Sequence, residues 1–485
     1  MKVLTTSRFA VLAVFCAGNG LNEMMQLTFS PIYAATQTAF NVSSETVTLL
    51  PAVYLLAFIP ASIVLAFLRV RWGLRTCLVA GASIQCLGAI LRYIACVVAP
   101  AHSFPLLLFG QTLAALAQPV YTNLPAMLSA TWFASQDRAL ATVAATLANP
   151  IGNALGSVLP ALVVPDNASA VVAATALSYV TLSQAVAAFA ILVATFYCVS
   201  DEPVEPPSAA AAMRRRNNAL LEVKNLDSVS LLAAVDDSSH AASTITTTLS
   251  SSVTPSSSNN NNNNNNNNTA IQVLQKEYMT LLRNFNFVRL LLGFGLGLGV
   301  FNALLALLGQ LLSPCGYTPA AAGIAGGVML SSGLFTAIAI GVALRKTGAF
   351  VPLLRGGIVL AALAMAGFLA ALRPNAYAAL LGFSALLGAA AVPLHPLTLE
   401  NAAEHTYPLS EDSSATLLTA AGKGLGVIFV FSVQPLLASN SCSTIFTPGA
   451  GVLACIITIS ALFLVSFKAD YRRGTAESVF VEEKR

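Results

Sequence analysis

The sequence predicts an all-α membrane protein in which twelve transmembrane helices form two six-helix bundles. Three observations predict this fold: the composition, the number of long apolar runs, and the polar segment that divides those runs into two sets. Of the 485 residues, 56% are hydrophobic and only 9% are charged, and the mean hydropathy is +0.74. Soluble globular proteins carry about 25% charged residues, so a soluble fold is excluded. The net charge of +4 and the scatter of the basic residues argue against nucleic-acid binding.

Each apolar run is about 20 residues long or more, which is enough for a helix to cross a bilayer. The runs are 9–33, 47–68, 76–98, 104–129, 139–163 and 173–199, followed by 287–312, 318–344, 351–372, 376–402, 413–437 and 449–467. We therefore expect one bundle over 1–200, a second over 287–468, and a cytosolic tail over 469–485. The segment 201–286 is polar and of low complexity, with an unbroken asparagine run over 259–268. Such a composition cannot bury a core, so we expect a disordered cytosolic linker.

Lysine and arginine residues set the predicted orientation. With the N-terminus in the cytosol, most of them fall in inner loops, in the linker or in the tails, while the outer loops hold only Arg373, with Arg92 near the outer end of the third run. This asymmetry indicates cytosolic termini, in a plasma or endo-lysosomal membrane. It also places two N-glycosylation sequons, at Asn41 and Asn167, in outer loops. The first run is too long and too polar for a cleaved signal peptide.

The eight cysteines and four histidines show no metal-ligand or redox spacing, so neither a metal nor a cofactor is expected. Cys315 and Cys442 fall in two outer loops and could pair with each other. No nucleophile and base recur in an arrangement that would indicate an enzyme.

Polar side chains recur inside the predicted spans, where each is costly unless it meets a partner or a water-filled cavity. They form a stripe on the first span, continue on the fourth and fifth, and reappear on the seventh. The candidates for a binding cavity are Asn22, Glu23, Gln26, Gln111, Gln118, Asn149 and Asn302. Hydrogen bonding between packed helices is the alternative explanation for these amides. Glu23 favours the cavity because it lies near the middle of its span.

Lys423 stands in the eleventh span, in the stretch LLTAAGKGLGVIFVF. It is not part of a phosphate-binding loop, because the glycine five residues before the Gly-Lys pair and the following hydroxyl are missing. It lies about eleven residues inside the span, or roughly 16 Å at 1.5 Å per residue, which is too deep for its ammonium to reach water. A cavity-facing cation and a structural ion pair with Glu23 both remain open.

His395 lies between Pro393 and Pro396 in the tenth span. Proline removes a backbone donor, and broken helices of this kind line the binding sites of membrane carriers. We include His395 among the cavity candidates, as a ligand or proton acceptor, although a packing role is the alternative.

Two stretches resemble one known family. GQTLAALAQPVYTNLPAMLSATWF, from Gly110 to Phe133, and LENAAEHTYPLSEDSSATLL in the second half are similar to the feline leukaemia virus subgroup C receptor-related transporters. The matching positions are Gly110, Gln111, Ala117, Gln118, Leu124, Pro125, Ser129, Trp132 and Phe133, and then Glu400, Ala403, Glu404, Thr406, Tyr407, Pro408 and Glu411. The resemblance covers both halves but not the linker, and it implies the major facilitator fold.

The resemblance also implies a solute carrier that works by alternating access; relatives are linked to haem, choline, ethanolamine or pyridoxine. The aromatic cage of the choline-handling members corresponds to Gln26 and Asn302 here, and a neutral cavity glutamine corresponds to Lys423. We therefore expect haem, a vitamin or an organic anion rather than choline as the small-molecule substrate of a monomer in the bilayer.

Three charged residues near the inner face, Arg138, Glu400 and Glu404, are expected to act as gate contacts rather than as substrate ligands. The alternative function is a non-transporting membrane receptor or sensor, whose linker would bind a cytosolic partner.

Overall fold

The computed structural model describes residues 7–98, 100–165, 168–200, 203, 276–347, 350–406, 409, 411–437 and 448–468. Within these ranges the side chains at 70–72, 126, 130, 135, 136, 138, 139, 345–347, 411 and 412 are not described. The predictions for the linker up to 275, the tail from 469, the sequon Asn167 and Cys442 therefore fall outside the described residues, as does the side chain of Arg138. Cys315 is disulfide-bonded.

The described residues fold almost entirely into helices, and we number the spanning ones α1 to α12 in chain order. The first half contains α1 (Arg8–Leu27), α2 (Ser44–Arg69), α3 (Gly73–Val97), α4 (Phe104–Asn123), α5 (Ser135–Val163) and α6 (Ala170–Cys198). The second half contains α7 (Phe285–Leu312), α8 (Pro319–Thr347), α9 (Phe350–Ala370), α10 (Tyr377–Ala391 and Leu394–Thr406), α11 (Glu411–Leu437) and α12 (Pro448–Ser466).

Ten of these helices are long and apolar enough to cross a membrane by length and composition. The other two, α1 and α5, carry several of the polar side chains that define the site described below. The predicted fold class, twelve membrane helices in two bundles, is confirmed.

Two spans end earlier than the sequence predicts. α1 stops at Leu27 and is followed by a short helix, Tyr33–Phe40, whereas the predicted span ran to 33. α4 stops at Asn123, and a second short helix, Pro125–Trp132, takes the place of the rest of the predicted span. Pro125 explains the second break, because proline supplies no N–H to continue the helical hydrogen bonds of α4.

The connection between α2 and α3 turns at a single glycine. Gly73 has φ 77° and ψ −179°, a backbone conformation that is essentially reserved for glycine. Residues 70–72 stay helical between the end of α2 at Arg69 and the start of α3 at Gly73, so the two helices join without a loop, and a side chain at Gly73 would be strained.

The end of the predicted disordered linker is folded. Residues 276–283 form a helix in which Leu281 is 1% exposed, and Ser413 Oγ of α11 donates a hydrogen bond to the Glu277 carboxylate at 2.7 Å. Asn284 then caps α7 by accepting from the backbone N–H groups of Asn286 and Phe287. The end of the linker that adjoins the second bundle is therefore an ordered helix.

The two halves differ in how their apolar side chains cluster. Most core residues of the second half, together with a few from the first, belong to one continuous cluster. The first half contains three smaller clusters, centred on Phe15 and Trp132, on Met25 and Tyr54, and on Phe40 and Phe104. These three clusters follow one another along the length of the first bundle.

We call the end of the bundles where α6 stops and α7 starts the linker end. At the opposite end the halves are joined by hydrogen bonds that we call the seal. Ser30 Oγ donates to the Leu305 carbonyl at 2.5 Å, Gln310 Nε2 donates to Thr48 Oγ1 at 2.8 Å, and Ser157 Oγ of α5 donates to the carbonyl of Gly323 on α8 at 3.3 Å. Glycines allow this approach, since a Cβ at Gly323 would collide with the Ser157 carbonyl oxygen.

Candidate functional site

A cavity of about 860 Å³ lies between the two halves and is lined by helices from both. Its wall includes Glu23 and Gln26 of α1, Asn149 of α5, Asn302 of α7 and Lys423 of α11. The lining also extends to residues at the linker end, which are Arg69, Asn123, Tyr278, Met279 and Ser413. The cavity therefore extends to the linker end, and at its other end it stops before the hydrogen bonds of the seal.

Glu23 is 2% exposed and its carboxylate accepts three amide hydrogen bonds. Gln118 Nε2 at 2.9 Å and Asn149 Nδ2 at 2.7 Å donate to Oε1, while Asn153 Nδ2 at 3.0 Å donates to Oε2. Gln118 lies on α4, and the other two donors lie on α5. Because Asn149 and Asn153 are four residues apart, they share one face of that helix. A buried carboxylate needs such donors, and here the first bundle supplies all three.

Gln118 joins this carboxylate to Lys423 in the other half. Its Nε2 group also donates to Gln26 Oε1 at 2.6 Å, and its Oε1 accepts from Lys423 Nζ at 2.9 Å. Glu23 and Lys423 are thus close enough to interact electrostatically, but an uncharged amide lies between them instead of a direct salt bridge. The sequence suggested Glu23 as the partner of Lys423, and the structure inserts Gln118 between the two.

Lys423 is 8% exposed and forms part of the cavity wall. Its ammonium lies 4.7 Å from the centre of the Phe58 ring, a distance that allows a cation–π interaction. Gln118 takes one of its three N–H donors, and no other hydrogen bond of this ammonium is formed with the described residues. The second bundle therefore brings a cation with spare donors to the cavity.

Two further cavity residues have nitrogen atoms that make no hydrogen bond with the part of the chain that the structure describes. These atoms are Asn302 Nδ2 on α7 and His395 Nε2 on α10. The His395 ring stacks on Phe294, with centroids 5.5 Å apart and an interplanar angle of 24°. α10 breaks at Val392 and Pro393, as its prolines predict, and the new helix starts at Leu394, which places His395 in its first turn.

Three predicted cavity residues do not line the cavity: Gln118, which is fully buried but bonded to Glu23 and Lys423 of the wall, and two residues that lie elsewhere, Asn22 and Gln111. Asn22 donates to Gln85 Oε1 at 3.2 Å and to the Ala114 carbonyl at 2.9 Å, and Gln111 donates to the carbonyls of Met25 and Leu50 at 3.2 Å. Both side chains are fully buried between helices of the first half and do not line the cavity. They are packing residues in this structure, so we leave them out of the proposed binding site.

The predicted gate residues lie on α10 and α5, and of the two whose side chains are described, Glu400 and Glu404, neither lines the cavity. Glu400 is exposed, Glu404 is half-buried, and both are near the linker end of α10. Arg138 is in the first turns of α5, also toward the linker end. A gate role for these three residues remains a prediction.

Sequence reasoning missed Asn153 and Phe58 as parts of the site. Asn153 was detectable, because its spacing of four from Asn149 puts both amides on one helical face. Phe58 was not, since a phenylalanine in an apolar run carries no sign that a cation will lie over its ring. Among the described residues no group of three or more His, Cys, Asp or Glu side chains could hold a metal ion.

Comparisons with known proteins agree with this geometry. The sequence matches the Major Facilitator Superfamily over residues 15–431. It is 26% identical to solute carrier family 49 member A3 of Xenopus tropicalis, over 98% of this chain and 89% of the relative. It is also 26% identical to the choline/ethanolamine transporter FLVCR1 of Felis catus, over 97% of this chain and 74% of the relative. The resemblance to the feline leukaemia virus subgroup C receptor-related family is thereby confirmed.

Solved structures share the fold. A D-xylose-proton symporter superposes with a TM-score of 0.67 at 14% identity, covering 96% of this chain and 99% of the other. At that identity the likeness concerns the fold alone. On the sequence match, the chain belongs to the Major Facilitator Superfamily, as a multi-pass membrane transporter of the solute carrier type.

Proposed function

We propose that this transporter carries a small organic anion, with haem, a vitamin or an organic acid as candidates, by alternating access through the cavity between its two halves. The observation that carries the proposal is the position of Lys423. Its ammonium lies in the cavity wall near the middle of α11, with N–H donors that Gln118 does not use.

The hydrogen-bond donors of the wall that remain free among the described residues support an anionic substrate. Glu23 is the carboxylate nearest to Lys423, and three amides already satisfy it. Asn302 Nδ2 and His395 Nε2, which have no hydrogen-bond partner in the described part of the chain, add two more polar nitrogen atoms to the same cavity. A substrate cation about 4 Å from Lys423 would be repelled by roughly 4 kcal/mol at an effective dielectric constant near 20. A carboxylate at the same place would gain charge-assisted hydrogen bonds.

The same geometry argues against choline, the substrate class in the names of several relatives. A quaternary ammonium binds against aromatic faces. The face of Phe58 is already occupied by the Lys423 ammonium, whose Nζ lies 4.7 Å from the ring centre. The positions that correspond to the family's aromatic cage hold Gln26 and Asn302, which are amides. A cavity of about 860 Å³ with a largely apolar wall suits a solute with an apolar body and one anionic group.

We further propose that the linker end faces the cytosol, so that the structure corresponds to an inward-facing state. The positive-inside rule supports this orientation. Asn41, a predicted glycosylation site, is exposed and lies at the opposite end, next to the short helix Tyr33–Phe40.

The test is ligand binding and uptake by the purified full chain. Thermal unfolding is measured with haem, pyridoxine, a set of monocarboxylates, choline and ethanolamine, and each stabilising ligand is then followed as a radiolabel in proteoliposomes. Lys423→Gln is expected to weaken the affinity for the anionic ligand by about 10- to 100-fold, which corresponds to roughly 1.5–3 kcal/mol for a hydrogen bond to a charged group.

Lys468→Gln is the matched control, because Lys468 is exposed just beyond α12 and does not line the cavity. The proposal fails if Lys423→Gln and Lys468→Gln bind and transport alike, or if only choline and ethanolamine stabilise the protein. Saturable binding of an anion without any uptake would instead support the receptor hypothesis.

A further inference from the structure

Arg92 is a buried cation that the transport cavity does not use. It lies in the last two turns of α3 toward the sealed end, it is 1% exposed, and it does not line the cavity. Its guanidinium lies 5.1 Å from the centre of the Phe29 ring. On its other side α3 packs closely on α4, where a Cβ at Gly110 would be only 3.1 Å from Arg92 Cγ.

The guanidinium has donors but no acceptors in the part of the chain that the structure describes. All three nitrogen atoms of Arg92 are buried without a hydrogen-bond partner, and so is the hydroxyl of Tyr54 on α2. The titratable groups that interact with Arg92 are Tyr54 and Cys96, and neither is a carboxylate. Glu23, the buried carboxylate of this half, is held by its three amides.

A buried charge without a counter-charge carries a large free-energy cost, more than unmade hydrogen bonds alone would cause. Water can satisfy the N–H groups, but it cannot neutralise the charge. The Phe29 ring and the C-terminal end of α3 each offer only a partial negative potential. A small monovalent anion would both satisfy the N–H groups and neutralise the charge, because it accepts several hydrogen bonds and carries one negative charge to balance the guanidinium.

We propose that Arg92 and Tyr54 form a binding site for a small inorganic anion of the halide class, of which chloride is the obvious member. The anion would lie among α1, α2 and α3 of the first bundle, separate from Lys423 and from the substrate cavity. Its role is structural: it neutralises a cation at the sealed end and stabilises the packing of that bundle.

The test measures thermal unfolding of the purified full chain, exchanged into sodium gluconate and then titrated with sodium chloride or bromide at constant ionic strength. We expect a saturable rise in the melting temperature on the order of 1–4 °C for the wild type. Gel filtration with radiolabelled chloride should retain about one chloride per chain. Arg92→Gln should abolish both signals.

Two control variants separate this site from others. Arg289→Gln should respond to chloride like the wild type, because Arg289 also lies near a ring, at 4.3 Å from that of Phe285, but is only half-buried. Lys423→Gln should keep the chloride response, since the two sites are independent. If Arg92→Gln does not fold, Arg92→Lys retains the charge and should bind chloride more weakly. A wild type that shows neither a chloride-dependent melting temperature nor retained chloride would overturn the proposal, as would an Arg92→Gln variant that still shows both.

Discussion

Adding one methyl group at Gly323 should open the sealed end of the transporter. Gly323 lies on α8 opposite Ser157 of α5, and a Cβ there would collide with the Ser157 carbonyl oxygen and with Ala161. A backbone carbonyl cannot rotate away as a flexible side chain can, so the two halves must separate. Gly323→Ala should therefore favour the state in which this end is open.

The size of the effect follows from two contributions. Overpacking of a close helix contact costs about 1–3 kcal/mol, and the hydrogen bond from Ser157 Oγ to the Gly323 carbonyl, at 3.3 Å, contributes about 0.5–1.5 kcal/mol. Together they destabilise the sealed state by roughly 2–4 kcal/mol, which is about a 30- to 700-fold change in the conformational equilibrium.

The assay is the labelling rate of a cysteine placed in the seal. Ser30→Cys serves as the reporter because Ser30 is 5% exposed, and a bulky water-soluble maleimide reaches it only when the seal opens. The same protein without Ser30→Cys gives the background from the native cysteines. The matched control is Gly341→Ala, on the same helix, where a Cβ would meet no atom within 4 Å.

Both alanines raise helix propensity by about the same amount, so the control removes that contribution. Labelling should be much faster in Gly323→Ala than in Gly341→Ala. Equal rates in the two variants would refute the view that this glycine contact holds the sealed end closed.

Three further predictions test other parts of the structure. Gln118→Leu removes three hydrogen bonds around two buried charges and should lower stability by about 3 kcal/mol or more, seen as a fall in the melting temperature; an unchanged value would contradict the bridging role. Ser413→Ala removes the bond to Glu277 and should speed hydrogen exchange of 276–283 about tenfold, whereas an unaltered rate would show that this contact does not hold the helix. In an Asn167→Gln background, which removes the second predicted sequon, Asn41→Gln should abolish the remaining glycosidase-sensitive shift of the protein on gels, and an unchanged shift would show that Asn41 is not its source.

The fold was accessible from the sequence because the bilayer imposes a length on every spanning helix. Predicted and observed helices agree to within a few residues where a polar loop bounds the apolar run, as at α9. The prediction failed where the chain stays apolar after the helix ends. After Leu27 the predicted span ran on through the turn to 33, and after Asn123 it ran on into the short helix Pro125–Trp132, whose residues look like more of the same span. Hydropathy alone cannot detect a change of direction.

The site was only partly accessible for a different reason. Depth correctly suggested that Glu23 and Lys423 are near one another, since the predicted spans 9–33 and 413–437 place both residues well inside the membrane, although α1 itself ends four residues after Glu23. Asn22 and Glu23 are adjacent, however, and neighbours on a helix point about 100° apart. Only the packing of α1 against α3 and α4 decides that Asn22 turns into the bundle while Glu23 turns to the cavity. The identity of the bridging residue, Gln118, depends on the same packing.

The division of the first bundle into three apolar clusters has a consequence for its local stability. Because each cluster is small and separate from the other two, one cluster can loosen while its neighbours stay intact. The continuous core of the second half lacks such boundaries, so a disturbance in one part of it spreads through the rest. We expect hydrogen exchange in α1 to α6 to show several distinct protection levels along each helix, and α7 to α12 to exchange more nearly as one unit. The two halves would then share an architecture but differ in the cooperativity of their unfolding. The first half, which holds Glu23, would open locally more readily than the second.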